Sequence, residues 1–239
     1  TNVLQDINLH IKEGTMTALV GESGSGKSTL AKLLVHFYDV NEGSISIGGQ
    51  DITSIDPKEL NEQISYVAQE QFLFNTSLYE NIKIGKPSAS KEEVLEAARK
   101  AQCMEFLERL EKGIDTMAGD GGKSLSGGER QRICLARAIL KDAPIIVLDE
   151  ATAFIDPENE DKLNLAISEI IKNKTVIVIA HRLSSIQSAE QICVLSEGKI
   201  TACATHEELI KDCSEYKALW DKSNEIKNWK VNTGGVEYA

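Results

Sequence analysis

Short apolar runs alternate with charged, helical stretches along this chain. Residues 145–148, 176–180 and 192–195 read IIVL, VIVIA and ICVL. Runs that are apolar at every position are typical of strands buried on both faces of a parallel sheet. Residues 75–140 carry a helical pattern instead, as in KEEVLEAARKAQCMEFLERLEKG. The pattern therefore predicts an α/β protein whose parallel sheet is interrupted by a helical insertion.

Further elements are predicted near the two ends of the chain. Residues 1–20 predict two strands separated by a turn, and a glycine-rich loop and a helix from Lys27 follow them. Residues 45–52, ISIGGQDI, alternate around a Gly-Gly pair and so predict an antiparallel hairpin. Residues 223–239 are predicted to form a polar tail.

The composition is that of a globular protein with an acidic balance. The chain of 239 residues is 41% hydrophobic and 26% charged, and its formal net charge is −11. This charge argues against nucleic acid as a partner, because nucleic-acid binding usually needs a basic face. A small anionic ligand is still allowed, because backbone amides and one lysine can bind it locally.

The five cysteines show neither a CxxC pair nor the spacing of a zinc site. We therefore expect free thiols in a reducing cytosol. No apolar run approaches the roughly 20 residues of a membrane span. The first residues show no signal-peptide pattern.

The glycine-rich loop GESGSGKST, residues 21–29, matches the pattern G-x-x-x-x-G-K-[ST] between a predicted strand and a predicted helix. Glycines let backbone N–H groups turn towards phosphate oxygens, and the helix N-terminus adds favourable partial charge. A plain glycine-rich turn with a solvated lysine is the weaker alternative. We expect a nucleoside triphosphate to bind there, with its phosphates on Gly21, Ser23, Gly24, Ser25, Gly26, Lys27, Ser28 and Thr29.

A pair of acids, Asp149 and Glu150, ends the strand that begins IIVL. Ligands of α/β sheets bind at the carboxyl ends of strands. Asp149 is expected to hold Mg²⁺ together with the hydroxyl of Ser28. Glu150 is expected to orient and deprotonate the attacking water. The alternative, that the two acids only cap the next helix, is weakened by the phosphate loop upstream.

The pentapeptide LSGGE, residues 125–129, begins a predicted helix with two glycines. Each glycine is about 1 kcal/mol less favourable than alanine inside a helix. Ser126 and Glu129 have the S-x-x-E spacing of a capping box, so an ordinary helix start is one interpretation. Capping explains the serine and the glutamate but leaves Gly127 and Gly128 unexplained.

The phosphate loop, the strand ending in two acids and LSGGE together resemble ATP-binding cassette proteins. The resemblance covers residues 1–222 and implies the fold of a RecA-like P-loop NTPase. Its mostly parallel core, with an antiparallel β subdomain, is expected at about 1–74 and 141–222. An α-helical signature subdomain is expected at about 75–140.

The resemblance also implies a shared ATP site. In this family two cassettes pack head to tail around two ATP, and the signature of each faces the γ-phosphate bound by the other. Five residues would then act on the partner's ATP, the last of them as the D-loop aspartate in ATAFIDP: Ser126, Gly127, Gly128, Glu129 and Asp156.

Two further positions match family motifs. Gln69, after the strand-like ISYVA, matches the glutamine that senses Mg²⁺ and contacts the membrane domain. His181, after VIVIA, matches the switch histidine that contacts the γ-phosphate. The implied catalytic residues are Glu150, His181 and Lys27. The implied Mg²⁺ ligands are Ser28, Gln69 and Asp149.

The segments SLYENIKIGKP (77–87), DTMAGDGG (115–122) and THEELI (205–210) resemble exporter-type cassettes. The resemblance implies an ATPase at the cytoplasmic face of a membrane, driving a transmembrane domain expected in the same full-length chain. A soluble importer cassette, a non-transport ATPase of the family and a non-enzymatic ATP-binding regulator are the alternatives. No aromatic residue occurs before Phe37, so the adenine-stacking residue of the family is either missing or lies before Thr1, and we expect the second.

Overall fold

A central sheet organises the structure, a computed structural model that describes residues 3–149, 157–180 and 183–232. The described residues form eight strands. They are β1 (Met16–Val20), β2 (Ser46–Ile47), β3 (Gln50–Asp51), β4 (Ile64–Val67), β5 (Ile145–Asp149), β6 (Thr175–Ile179), β7 (Gln191–Ser196) and β8 (Lys199–Ala204).

Six of these strands form one sheet in the order β4–β5–β6–β1–β7–β8. All neighbouring pairs are parallel except β7 and β8, which pair antiparallel at the edge. The apolar runs predicted as buried strands are β5, β6 and β7, and β5 shows why they are apolar throughout. Ile146 and Leu148 pack in one core cluster, whereas Val147 packs in another on the opposite face. The prediction of a mostly parallel sheet is confirmed.

The small hairpin of β2 and β3 is also present, with Ile47 paired to Gln50. Gly48 and Gly49 both have positive φ, +58° and +82°, as the tight turn of a two-residue hairpin requires. The prediction of two strands within residues 1–20 is half wrong. Only the second, β1, is a strand, whereas Leu4, Ile7, Leu9 and Ile11 pack against a core cluster without a strand partner.

Helices cover the sheet and form the segment between β4 and β5. They are α1 (Lys27–Leu34), α2 (Pro57–Gln63), α3 (Leu78–Lys83), α4 (Lys91–Lys100), α5 (Met104–Arg109), α6 (Gly127–Lys141), α7 (Pro157–Ile171), α8 (His206–Asp212) and α9 (Ser214–Asn232). Helices α3 to α6 make up the helical segment. Within the part of the chain described, no helix is long and apolar enough to cross a membrane.

The expectation of free thiols is wrong for one pair of cysteines. Cys193 on β7 and Cys203 on β8 are joined by a disulfide. The antiparallel register places them directly opposite each other, with their Cα atoms 4.2 Å apart. Spacing along the sequence could not show this, because the pairing depends on the register of two strands. Cys103, Cys134 and Cys213 are free.

Candidate functional site

The glycine-rich loop lies between β1 and α1, at the carboxyl edge of the sheet. Gly21 begins the loop with φ +149°. A Cβ atom on Gly21 would lie 2.1 Å from the carbonyl oxygen of Leu195 on β7, so only glycine fits at this crossing. At the other end of the loop, Gly26 is the N-cap of α1 and offers no side chain to the first-turn amides. Those amide groups are therefore left for a ligand.

The amino group of Lys27 is held inside this loop. The residue is 5% exposed. Its Nζ donates hydrogen bonds to the carbonyl oxygens of Gly21 at 3.0 Å and Glu22 at 2.7 Å, and to Ser25 Oγ at 3.3 Å. Loop oxygens thus fix a buried positive charge where the loop and the start of α1 also concentrate N–H groups. This is the arrangement that a phosphate group needs.

The carboxylate of Asp149 lies at the same edge and contacts the helix that follows the loop. Ser28 Oγ on α1 donates to Asp149 Oδ1 over 3.3 Å, although the two residues are 121 positions apart in the chain. The Tyr66 hydroxyl on β4 donates to Asp149 Oδ2 over 2.6 Å. Asp149 is 3% exposed. Burial and, secondly, the hydrogen bond to Asp149 raise the pKa of Tyr66 above its ordinary value, so the phenol keeps its proton.

These oxygen atoms suit Mg²⁺, which prefers hard oxygen ligands and is usually held by one or two carboxylates plus substrate phosphates. Asp149 Oδ1 and Ser28 Oγ already lie side by side. Among the residues that the structure describes, no group of three or more His, Cys, Asp or Glu could hold a metal by itself. The residues present therefore fit a metal that arrives with a phosphate ligand.

The start of α6 forms the capping box that the LSGGE pattern allows. Ser126 Oγ accepts from the N–H of Glu129 at 3.3 Å, and Glu129 Oε2 accepts from the N–H of Ser126 at 2.8 Å. Arg109 on α5 pairs with the other carboxylate oxygen of Glu129 at 3.1 Å. Ser126 and Gly127 are both exposed. A Cβ atom on Gly127 would meet only the end of the Arg130 side chain, at 3.8 Å.

The starts of α4 and α8 can be compared with the start of α6. Helix α4 has the same capping box between Ser90 and Glu93, and Thr205 and Glu208 occupy the corresponding positions at the start of α8, where Glu208 Oε2 accepts from the Thr205 N–H. The two intervening positions are Lys-Glu in α4 and His-Glu in α8. A capping box therefore does not require the glycine pair of α6. Packing within the chain does not require glycine at position 127 either, so Gly127 leaves room for a group from outside the chain.

Besides Asp149, four predicted site residues belong neither to the glycine-rich loop nor to the start of α6. Gln69 is exposed and follows β4, the strand beside β5. Glu150, Asp156 and His181 lie outside the described residues.

Two contacts of the site are not predicted by the sequence patterns. The sequence places Tyr66 in the predicted strand ISYVA. The only feature that marks Tyr66 is a side-chain hydroxyl near the end of β4, which lies beside β5. The N-terminal segment also contacts the loop. Val3 and Leu4 lie so close to Gly198 and Gly26 that Cβ atoms there would overlap them.

A surface groove of about 420 Å³ lies near Gln69, between β4 and the helical segment. Its lining includes exposed apolar side chains, Phe72, Phe74 and Ile84. We call it the aromatic groove. Asn81, which is fully buried, and Arg137 hold its wall by hydrogen bonds to the backbone of residues 72–77.

A protein-family model for ABC transporters matches residues 4–153 of the chain. The chain belongs to the ABC transporter family. The predicted fold class and the predicted ATP-binding cassette are thereby confirmed. The roles assigned to single residues stay predictions.

Relatives of this ABC cassette are longer proteins. The mycobactin import ATP-binding/permease protein IrtA of Mycobacterium tuberculosis is 50% identical over 219 residues, which is 92% of this chain and 25% of IrtA. The ATP-dependent lipid A-core flippase of Desulfotalea psychrophila is 46% identical over 219 residues, 92% of this chain and 38% of the flippase.

A solved structure of a bacterial Atm1-family ABC exporter with ATP bound superposes on the cassette with a TM-score of 0.86. The two are 38% identical, and the match covers 92% of this chain and 39% of the exporter chain. The cassette therefore spans about a quarter to two fifths of the proteins that it resembles.

Proposed function

We propose that this cassette hydrolyses ATP as one half of a head-to-tail pair and so drives an exporter-type membrane transporter. The observation that carries the proposal is the start of α6. Ser126 and Gly127 are exposed there, and neither the capping box nor the space around Gly127 accounts for glycine. Bare backbone at a helix N-terminus lets amide groups approach an anion closely. The anion would be the γ-phosphate of ATP bound to a second cassette.

Within one cassette, the triphosphate lies on the phosphate loop. Lys27 reaches the β- and γ-phosphates. Mg²⁺, held by Ser28, Asp149 and Gln69 with the phosphates, would neutralise charge on the phosphate oxygens. Glu150 orients the attacking water and accepts its proton on the carboxylate, while His181 contacts the γ-phosphate. The remaining phosphate contacts come from Gly21, Ser23, Gly24, Ser25, Gly26 and Thr29.

The second cassette completes each site. Each γ-phosphate then contacts two chains, so ATP has affinity for the closed pair that it lacks for the open one. Hydrolysis removes that bridge, and release of phosphate lets the pair open. The residues that act across the interface are Ser126, Gly127, Gly128, Glu129 and Asp156.

The transmembrane partner is proposed to dock at the aromatic groove. The groove lies near Gln69, and Phe72 and Phe74 are 57% and 52% exposed. Met117, in the segment that resembles exporters, is 53% exposed as well. Exposed aromatic and methionine side chains are enriched at protein interfaces. IrtA is named an ATP-binding/permease protein, and the cassette covers only part of IrtA and of the flippase. We therefore place the transmembrane domain in the same full-length chain, with the cassette at the cytoplasmic face.

The relatives are named for different transport functions. One relative is named for mycobactin import and another as a lipid A-core flippase. An importer whose cassette is a separate chain and a non-transport ATPase are the rival functions. A permease region upstream in the same reading frame would exclude both.

The decisive experiment replaces Glu150 by glutamine and measures phosphate release and ATP binding. Loss of a general base lowers turnover by roughly 10²–10⁴-fold, whereas ATP binding should stay, because the phosphate loop is untouched. Glu96→Gln on α4, which removes an exposed carboxylate paired with Arg99, is the matched control. Turnover at the wild-type rate in Glu150→Gln would remove Glu150 from its role.

A second experiment tests whether two cassettes share the ATP sites, by measuring ATP turnover at different protein concentrations. Turnover per wild-type chain should rise with protein concentration until the pair is saturated. A rate per chain that is independent of concentration in a monomeric sample would contradict the shared site.

A further inference from the structure

The hydroxyl of Tyr66 lies directly against the carboxylate that the proposed function assigns to Mg²⁺. Tyr66 is on β4 and pairs with Val147 on β5, two residues before Asp149. Its side chain reaches along the sheet to the carboxyl edge, where the hydroxyl donates to Asp149 Oδ2 at 2.6 Å. A hydrogen bond to a charged acceptor is among the stronger hydrogen bonds in proteins.

The two oxygen atoms of Asp149 have different partners. Oδ1 accepts from Ser28 Oγ, and Oδ2 accepts from Tyr66. The terminal torsion of an aspartate is soft and roughly two-fold, so packing alone does not select one orientation of the carboxylate. Asp149 is almost wholly buried, which leaves little solvent to hold it in another orientation. The two hydrogen bonds together therefore set which oxygen faces Ser28.

Tyr66 is itself held in place. The residue is half-buried and packs against the core cluster beside α1. The edge of the Phe37 ring meets it, with ring centroids 5.4 Å apart and planes at 78°. This is a preferred geometry for aromatic pairs. The packing of the Tyr66 ring therefore holds its hydroxyl in position to donate to Asp149.

We propose that Tyr66 is a positioning residue for the metal site: its hydroxyl fixes the Asp149 carboxylate so that Oδ1 stays beside Ser28 and available to the metal. The inference rests on the proposed function, because it takes Asp149 as the Mg²⁺ residue. Tyr66 belongs neither to the phosphate loop nor to β5, the strand that ends in Asp149. Partners of this kind, which orient a metal-binding carboxylate, typically change metal affinity by 10- to 100-fold when they are removed.

The test replaces Tyr66 by phenylalanine, which removes the hydroxyl and keeps the ring against Phe37. Binding of the non-hydrolysable analogue adenylyl imidodiphosphate is measured by calorimetry in EDTA and at increasing Mg²⁺. We expect the Mg²⁺ concentration that gives half of the gain in affinity to rise roughly tenfold. Affinity in EDTA should stay at the wild-type value, which also shows that the variant is folded. Tyr79→Phe, at a half-buried tyrosine on α3, is the matched control and should shift neither quantity.

Three results would overturn the inference. A Mg²⁺ midpoint unchanged in Tyr66→Phe would show that the hydroxyl does not orient Asp149. A lower midpoint would show that it competes with the metal. An equal loss of affinity with and without Mg²⁺ would show that Tyr66 only supports the loop.

A parallel Asp149→Asn variant separates this inference from the proposed function. If Asp149→Asn shifts the Mg²⁺ midpoint and Tyr66→Phe does not, only the role of Tyr66 fails. If Asp149→Asn leaves the midpoint unchanged, the metal site of the proposed function fails and the role of Tyr66 fails with it.

Discussion

Replacing Gly127 by aspartate separates the stability of α6 from its proposed role at a shared ATP site. Gly127 is the first residue of α6, and a Cβ atom there meets only the Arg130 side chain at 3.8 Å. The new side chain therefore fits. A carboxylate in the first turn interacts favourably with the helix dipole by about 0.3–1 kcal/mol. For a chain of this size, that raises the midpoint of thermal unfolding by about 1–4 °C.

The same carboxylate opposes the proposed function. It would lie beside the γ-phosphate of the partner's ATP. Two like charges about 4 Å apart, at an effective dielectric constant near 20, repel by about 4 kcal/mol. That corresponds to roughly a thousandfold loss of affinity at each ATP of the pair. Gly127→Asp should therefore be more stable than the wild-type chain and yet fail to form the ATP-bound pair.

The assay is light scattering after gel filtration with ATP and Mg²⁺, in a Glu150→Gln background that keeps ATP intact. Thermal unfolding is followed on the same samples. Lys91→Asp is the matched control, because Lys91 occupies the same position in the capping box of α4. It should be stabilised in the same way and still form the pair. A Gly127→Asp chain that forms the ATP-dependent pair as well as Lys91→Asp would refute the reasoning.

Two stability predictions follow from the packing of single residues, both measured by urea unfolding. Gly21→Ala should lower the free energy of unfolding by about 3 kcal/mol or more, because its Cβ overlaps a β7 carbonyl. Gly24→Ala is the control, because Gly24 has φ +81° and no atom near the position of a Cβ, and it should lower the free energy of unfolding by only about 1–2 kcal/mol. Equal losses in the two variants would contradict the close approach of Gly21 to β7. Asn81→Ala should lower the free energy of unfolding by about 2–4 kcal/mol, because the Phe74 backbone and the half-buried Arg137 lose their hydrogen bonds to the buried Asn81 side chain. Asn61→Ala at an exposed site is the control, and a similarly small loss for both would contradict the role of Asn81.

Features that depend on neighbouring residues could be predicted from the sequence. The apolar runs became β5, β6 and β7, because a strand covered on both faces needs apolar side chains at every position. The phosphate loop and the capping box at Ser126 are local in the same sense, since the atoms that form them lie within a few residues. The resemblance to a family added the expectation of a shared ATP site, which no local pattern shows.

Features that depend on distant residues could not be predicted in this way. Alternating apolar residues at the N-terminus indicated a strand, but alternation also arises when side chains such as Leu4 and Ile7 pack on a core without a strand partner. The disulfide between Cys193 and Cys203 depends on the register of two antiparallel strands. A spacing of ten residues carries no signal for it.

The sequence by itself determined the glycine-rich loop between a strand and a helix, and where the helix that starts with two glycines begins. Only the tertiary structure decided what surrounds them. The strand order β4–β5–β6–β1–β7–β8 brings Asp149 to Ser28 across 121 positions and to Tyr66 across 83. The physical reason is that strand order follows from burying both faces of the whole sheet at once. No single segment of the chain contains that information.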